Sequence, residues 1–288
     1  MPEPGPHERL SRLHTQRPGA HAMSAYLAFT RSAFHAQLAY RNEVWANIFG
    51  KLVQVVARVA IWLAVYGGAG ATVVDGVSLQ QMVTYALLGG AVMGATRPER
   101  VIGEIGRSLK TGDIAVWLLK PLSYPLYLFA NECGSFSYRL ATQVIPTVAF
   151  TALIYGMLAP ASLFHGLMFA VFWALSFVLI FLMSALFGLI AFWLMTSFSL
   201  DWILGALLHL FSGLLVPFWF FPEPLATIAR HLPFAWVVYY PNAVYLGRLS
   251  VADTWLHLGL GLGWAGLFLL GVLWLWRLAS RRITVQGG

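Results

Sequence analysis

The sequence predicts an all-α integral membrane protein: six transmembrane helices, an N-terminal amphipathic interfacial helix, short amphipathic cytoplasmic helices over 97–121, and short interfacial or re-entrant helices after the fifth span. Three observations lead there. Of 288 residues, 59% are hydrophobic and only 10% charged, whereas soluble domains carry about 25% charged residues. Too few charges remain to cover a water-exposed surface, and mean hydropathy is +0.72. Apolar runs recur near the length of about 20 residues that spans a hydrocarbon core of about 30 Å as a helix. Lys and Arg fall in clusters between those runs rather than evenly along the chain.

Residues 1–22 hold Pro, Gly, His and Arg with no apolar run of the signal-peptide kind, and they read as a disordered tail. Met23 is an alternative natural start. His7, His14 and His21 fall at even spacing, but Pro6, Pro18 and Gly19 lie among them, so no metal site is expected. From Met23 to Lys51 the chain is amphipathic. Leu27, Phe34, Leu38, Trp45 and Phe49 share one helical face, with Arg31, His35, Arg41 and Asn42 elsewhere. Such a helix lies along a membrane surface or packs on a partner.

The spans follow in order. Leu52 to Gly70 is the first and is interrupted by Arg58; Asp75-Gly76 marks a polar turn; Gln80 to Thr96 is the second. After the charged interval 97–121, the aromatic stretch Ser123–Asn131 reads as interfacial. The third span runs from Phe136 to Met157, with Arg139 near its start, and Pro160 breaks the chain. The fourth covers Leu163–Met195. At that length it must tilt or project beyond the bilayer. A break at Thr196–Asp201 precedes the fifth, Trp202–Pro217. Over 218–241 the prolines 222, 224, 233 and 241, with Pro217 ahead of them, exclude one uninterrupted helix. The segment stays apolar, and backbone freed by proline cannot face lipid. Short interfacial or re-entrant helices such as Pro224–His231 are therefore expected. Trp255 to Arg277 is the sixth span, so the membrane domain covers 52–278, with 218–254 outside the cytoplasm and 279–288 a cytoplasmic tail.

Charge sets the orientation. The region up to Lys51 holds Arg9, Arg12, Arg17, Arg31, Arg41 and Lys51. The interval 97–121 holds Arg97, Arg100, Arg107, Lys110 and Lys120, and Arg277, Arg281 and Arg282 follow the sixth span. Opposing loops carry only Arg230 and Arg248. This bias places both termini and the charged interval in the cytoplasm of a plasma membrane protein. The basic balance is thereby assigned to membrane topology, not to nucleic acid.

The charged interval is more than a solvated loop. Ile102, Ile105 and Leu109 recur at helical spacing, and Ile114, Trp117 and Leu118 follow them. Gly112 can end a first short helix, Asp113 can cap a second, and Pro121 stops it. The apolar face of this pair is buried either on the chain's own spans or on a separate protein.

Catalytic signatures are missing. The segment from Gly103 to Lys110 lacks the Gly-Lys pair of a phosphate loop, and no HExxH or GxSxG occurs. The single cysteine, Cys133, excludes an internal disulfide and reads as apolar filler. Arg58 either lines a translocation path or snorkels to the headgroups. Arg139 snorkels or pairs with Glu132. His209 is a core histidine or a path residue, and His257 is interfacial. Gly90/Gly94 and Gly259/Gly263 permit close helix approach, within the chain or between chains.

These residues resemble the membrane subunits of ABC-2 type transporters, in the group that includes viologen and drug exporters. The resemblance rests on Glu104–Pro125 (acid, Gly-Asp, Leu-Leu, Lys-Pro) and on Ser212–Phe234 (Gly-x-x-x-Pro, aromatic-Pro, Leu-Pro). Six spans behind an amphipathic helix complete it. It implies a permease that is not itself an enzyme. Glu104, Ile105, Arg107, Leu109, Lys110, Gly112 and Asp113 would face a separate ATPase subunit that holds ATP and Mg²⁺. A second permease subunit, identical or different, would complete the transporter. Pro217, Pro222, Pro224 and Pro233 would form an outer gate, and Arg58 and His209 would lie on the translocation path. The cargo expected is a hydrophobic or cationic compound. An ion-coupled secondary transporter and a non-transporting scaffold are the alternatives at this level.

Overall fold

A computed structural model describes residues 18–38, 41–70, 72–194 and 198–286. The tail expected over 1–22 and the break expected over 196–201 lie partly outside the described residues, but 18–22 and 198–201 are helical. The elements are almost entirely helical. In chain order they are α1 (Pro18–Leu38), α2 (Arg41–Gly68), the strands β1 (Val73–Val74) and β2 (Val77–Ser78), α3 (Leu79–Ala95), α4 (Pro98–Thr111) and α5 (Asp113–Leu118). Then come α6 (Tyr124–Arg139), a π-helical turn (Leu140–Val144), α7 (Ile145–Tyr155), α8 (Leu163–Leu194) and α9 (Phe198–Phe211). Short 3₁₀ turns at Phe218–Phe220 and Pro233–Trp236 flank α10 (Glu223–His231). They are followed by α11 (Tyr239–Tyr245) and α12 (Val251–Gln286).

Local chemistry explains the joints. Asp75 and Gly76 both have positive φ, 48° and 70°, which is what a two-residue hairpin turn between β1 and β2 demands. Ser78 caps α3 through a capping box with Gln81. Pro146 sits early in α7 without an N–H to donate. The π turn just before it absorbs the irregularity, with the Ile145 N–H bonded to the Leu140 carbonyl. Residues 124–155 therefore form one nearly continuous helical run, and the expected division at Asn131 into an interfacial stretch and a span is absent. Likewise Lys51 is not a boundary: α1 ends at Leu38 and α2 runs unbroken through Lys51 to Gly68. The amphipathic pattern continued across that position because α2 itself has one face on a polar cavity.

Hydrogen bonds gather the chain reversals at two ends. At one end Tyr66 donates to the Val77 carbonyl, Arg248 to Gly76, Tyr245 to Leu158, and the Leu158 N–H to the Thr84 hydroxyl. At the other, Lys51 donates to the Gly94 carbonyl and Arg97 to Asn47. α3, with 17 residues, separates these ends by about 25 Å. Between the ends α2, α3, the run 124–155, α8, α9 and α12 alternate in direction. Among the described residues three helices are long and apolar enough to cross a membrane: Val44–Gly68, Leu163–Leu194 and Val251–Arg281.

The core is centred on α8, whose window is 78% buried against 11% for α2 and 22% for α12. Around α8 pack α4, α9, α11 and α12. The proline-rich segment turns inward. All seven residues of α11 are buried, Asn242 Nδ2 donates to the Tyr85 carbonyl, and Ser176 donates to Val237. The segment's second 3₁₀ turn and α11 are thus covered by the chain's own helices, while α10 keeps an exposed flank. α1 packs along α6, where Gly134 leaves room for the Thr30 carbonyl and the Thr30 hydroxyl donates to Ala130 at 2.9 Å. Leu27 nevertheless stays exposed on the far face of α1.

Candidate functional site

Two places gather the residues singled out from the sequence: the α4–α5 pair at one end, and a cavity beside it.

Gly112 ends α4 in the left-handed conformation, φ 76°, as its sequence position suggested. Asp113 does not cap α5. Gly112 occupies the cap position, and the Asp113 carboxylate accepts from the Thr111 hydroxyl at 2.6 Å instead. The amphipathic face of α4 divides in an informative way. Val101, Ile102 and Ile105 are buried, and the last two press on Gly188 of α8. Ile105 is 0% exposed, so it cannot face a partner. The stripe that looked available for docking is spent on the chain's own helix. Leu109 is half-buried in the cluster that includes Val101, Leu189 and Phe192. Arg107, Lys110, Gly112 and Asp113 are exposed, and Glu104 pairs with Arg107 one turn away.

What α5 shows outward was missed. Val116 is 53% and Leu119 87% exposed. Their signal was present, an apolar pair on the side of α5 opposite Ile114, but periodicity alone cannot say which side the chain itself covers. An aromatic cluster holds α5 in place. Trp117 lies 4.2 Å from Tyr127, Phe29 of α1 lies 5.0 Å from Tyr127, and Tyr124 stacks on Trp276 of α12 at 5.2 Å. Lys120 sits over the Trp117 ring at 4.0 Å. The pair is thus fixed to α1, α6, α8 and α12.

Behind α4 a cavity of about 690 Å³ lies between α2, α3, α7 and α9. Lys51, Arg58, Arg97, Glu99, Asp201 and His209 all line it, so both path residues named from the sequence share one space. The Gly90/Gly94 pair explains how two cations enter an apolar helix. A Cβ on Gly90 would lie 3.1 Å from Arg58 Nη1, and one on Gly94 would lie 3.2 Å from Lys51 Nζ. The glycines make room for cationic side chains of α2, not for close backbone contact with another chain. His209 Nδ1 is 2.8 Å from the Gly205 carbonyl in the preceding turn. At Gly259 and Gly263 nothing approaches; it is Gly261 that packs, against Trp236.

Arg139 pairs with Glu132, both nearly fully buried, and its Nε donates to the Ala95 carbonyl at 2.9 Å. Of the two readings open for Arg139, the ion pair holds. It ties the end of α3 to α6 just above α4. The gate prolines divide: Pro217 and Pro233 are buried, whereas Pro222 and Pro224 lie on the exposed flank of α10. Cys133 is partly buried, and among the described residues no cluster of His, Cys, Asp or Glu is suited to a metal.

The chain was compared with known proteins against this background. The family model for ABC-2 family transporter protein matches residues 52–287. No curated protein and no solved structure matches the chain significantly. The match takes in α4, α5, the proline-rich segment and the cavity lining from Gln54 onward, but not Lys51. The chain therefore belongs to the ABC-2 family of transporter proteins, as a multi-pass membrane component of a transport system.

Proposed function

We propose that this chain is the permease subunit of an ATP-binding cassette exporter and that a separate ATPase subunit, holding ATP and Mg²⁺, drives it by docking on α4–α5. The observation carrying this reading is the two-sidedness of that pair. Its inner face is keyed to Gly188 of α8, while Val116 and Leu119, apolar, and Arg107 and Lys110, cationic, stand exposed on the same helix pair. Such a surface suits a protein partner, since a helix meant only for water would not carry Leu119 outward.

Force has a physical route. α4 packs on both α8 and α9, and α9 forms a wall of the cavity. A displacement of α4 moves that wall. Closure of two ATPases around ATP would thus alter the cavity, and the segment 217–241 would act as the outer gate. In this reading the six alternating runs are six crossings of the cytoplasmic membrane, and both termini, α4 and α5 are cytoplasmic. The short α3 is shielded by its neighbours, most of its residues being buried. The chain itself carries out no chemistry, and a second permease subunit covers the exposed faces of α2 and α9.

The test is a Leu119→Asp or Lys110→Glu change, both at exposed positions, followed by co-purification with the ATPase and by ATP-driven transport in vesicles. Docking predicts loss of transport and ATPase stimulation with the spans still folded. Normal transport by both variants would remove α4–α5 from the coupling role.

A further inference from the structure

We infer that the deep half of this cavity is an anion pocket and that the cargo it takes is an amphiphile with a negatively charged oxyacid head, such as a phosphate. The inference rests on the cavity being the translocation site proposed above. Charge along the cavity is not uniform. Glu99 stands in the first turn of α4 and Asp201 in the first turn of α9, both at the coupling end beside Lys51 and Arg97. Arg58 lies two helical turns further along α2, about 10 Å on. Its guanidinium is beside Gly90, one turn deeper on α3 than the Lys51 ammonium at Gly94. At that depth, among the described residues, the only other titratable group lining the cavity is His209. Among the described residues no carboxylate pairs with Arg58.

A cation within a spanning helix is unfavourable unless something compensates it. Elsewhere in the chain the rule is obeyed, as Arg139 has Glu132. Arg58 instead has space: Gly90 lacks the side chain that would press on it, and the cavity lies in front. A guanidinium so placed can form two parallel hydrogen bonds to one oxyacid head. Thr147 adds a second feature. It is 4% exposed, it lines the same cavity, and its hydroxyl has no partner. Val55, Leu87, Val148 and Leu208 complete an apolar lining that suits a tail. The hydrophobic or cationic cargo expected from the sequence fits less well, because a cation would meet Arg58 as a like charge.

The experiment uses the purified full-length chain in neutral detergent. Tryptophan quenching is measured with brominated phosphatidylglycerol, brominated phosphatidylcholine, and either lipid in the presence of inorganic phosphate. Trp202 lines the cavity beside Asp201 and is 71% exposed, so subtracting Trp202→Phe isolates its signal, and the part of it that Arg58→Gln removes is the pocket's. The pocket predicts stronger quenching of Trp202 by the anionic lipid. Arg58→Gln should cut that preference by about tenfold, the effect of removing one charge-assisted contact. Arg230→Gln, which removes a cation paired with Glu223 elsewhere, should leave it unchanged. Equal quenching by both lipids, or a preference indifferent to Arg58→Gln, would overturn the anion pocket. Full displacement of the anionic lipid by millimolar phosphate would overturn the amphiphile assignment. The assay involves no ATPase. Loss of transport with this preference intact would therefore count against the transport reading alone, and the reverse against the pocket alone.

Discussion

The seat of α4 on α8 can be tested by a double-mutant cycle at Gly188 and Ile105. A Cβ on Gly188 would lie 2.6 Å from Ile105 Cδ1 and 3.3 Å from Ile102 Cα. The first contact involves the end of a flexible side chain and can be relieved; the second is backbone and obliges α4 to shift by a few tenths of an ångström. Gly188→Ala therefore combines a helix-propensity gain of about 1 kcal/mol with an overpacking cost of about 1–3 kcal/mol. The expected net change lies between neutral and about 2 kcal/mol destabilising. Ile105→Val removes Cδ1 from a fully buried site and should destabilise by about 0.5–1.5 kcal/mol. In the double variant the new methyl occupies the place Cδ1 vacated. The pair should be more stable than the sum of the singles by at least about 0.5 kcal/mol. The readout is thermal inactivation half-life in detergent, since membrane proteins seldom unfold reversibly. Simple additivity, within about 0.3–0.5 kcal/mol, would mean that α4 does not rest on Gly188, and the route from α4 to the cavity wall would fall with it.

Three further expectations concern other joints. Glu132→Gln strips the buried Arg139 of its counter-charge and should destabilise by about 3–5 kcal/mol; replacing both residues with apolar ones of similar volume should restore most of that loss, measured by the same half-life. Tyr85→Phe removes the 2.8 Å hydrogen bond to the Gly213 carbonyl, leaving a buried acceptor unpaired at a cost of about 1–3 kcal/mol; proteolysis near residues 211–215 should quicken. Leu119→Asp alters a side chain that is 87% exposed, so isolated stability should move by less than about 0.5 kcal/mol while ATPase co-purification falls by at least tenfold, given about 1.5–3 kcal/mol for burying a leucine.

Much of the architecture was legible because membranes impose simple rules. Hydropathy located α8, from Leu163 onward, and α12, and Gly112 marked the end of α4 through its own backbone freedom. Breaks were less legible where a charge or a proline sits inside a helix. Lys51 looked like a boundary because a cation in lipid is costly, but α3 sets Gly94 opposite it. Pro146 sits inside a run that continues because a π turn accommodates it. The site was legible as residue types rather than as directions. Arg58 and His209 share a cavity, yet Ile105 points inward and Leu119 outward, and no helical period distinguishes a face covered by the same chain from one awaiting another. The chain's three-dimensional course alone decides that.

The most direct measurement places a photo-crosslinking amino acid at Leu119, and in a parallel sample at Leu225 on α10, in cells that express the whole transporter. Docking on α5 predicts a covalent adduct with a nucleotide-hydrolysing subunit from position 119 and none from position 225. An adduct from 225 with none from 119, or no ATPase adduct from either, would contradict it.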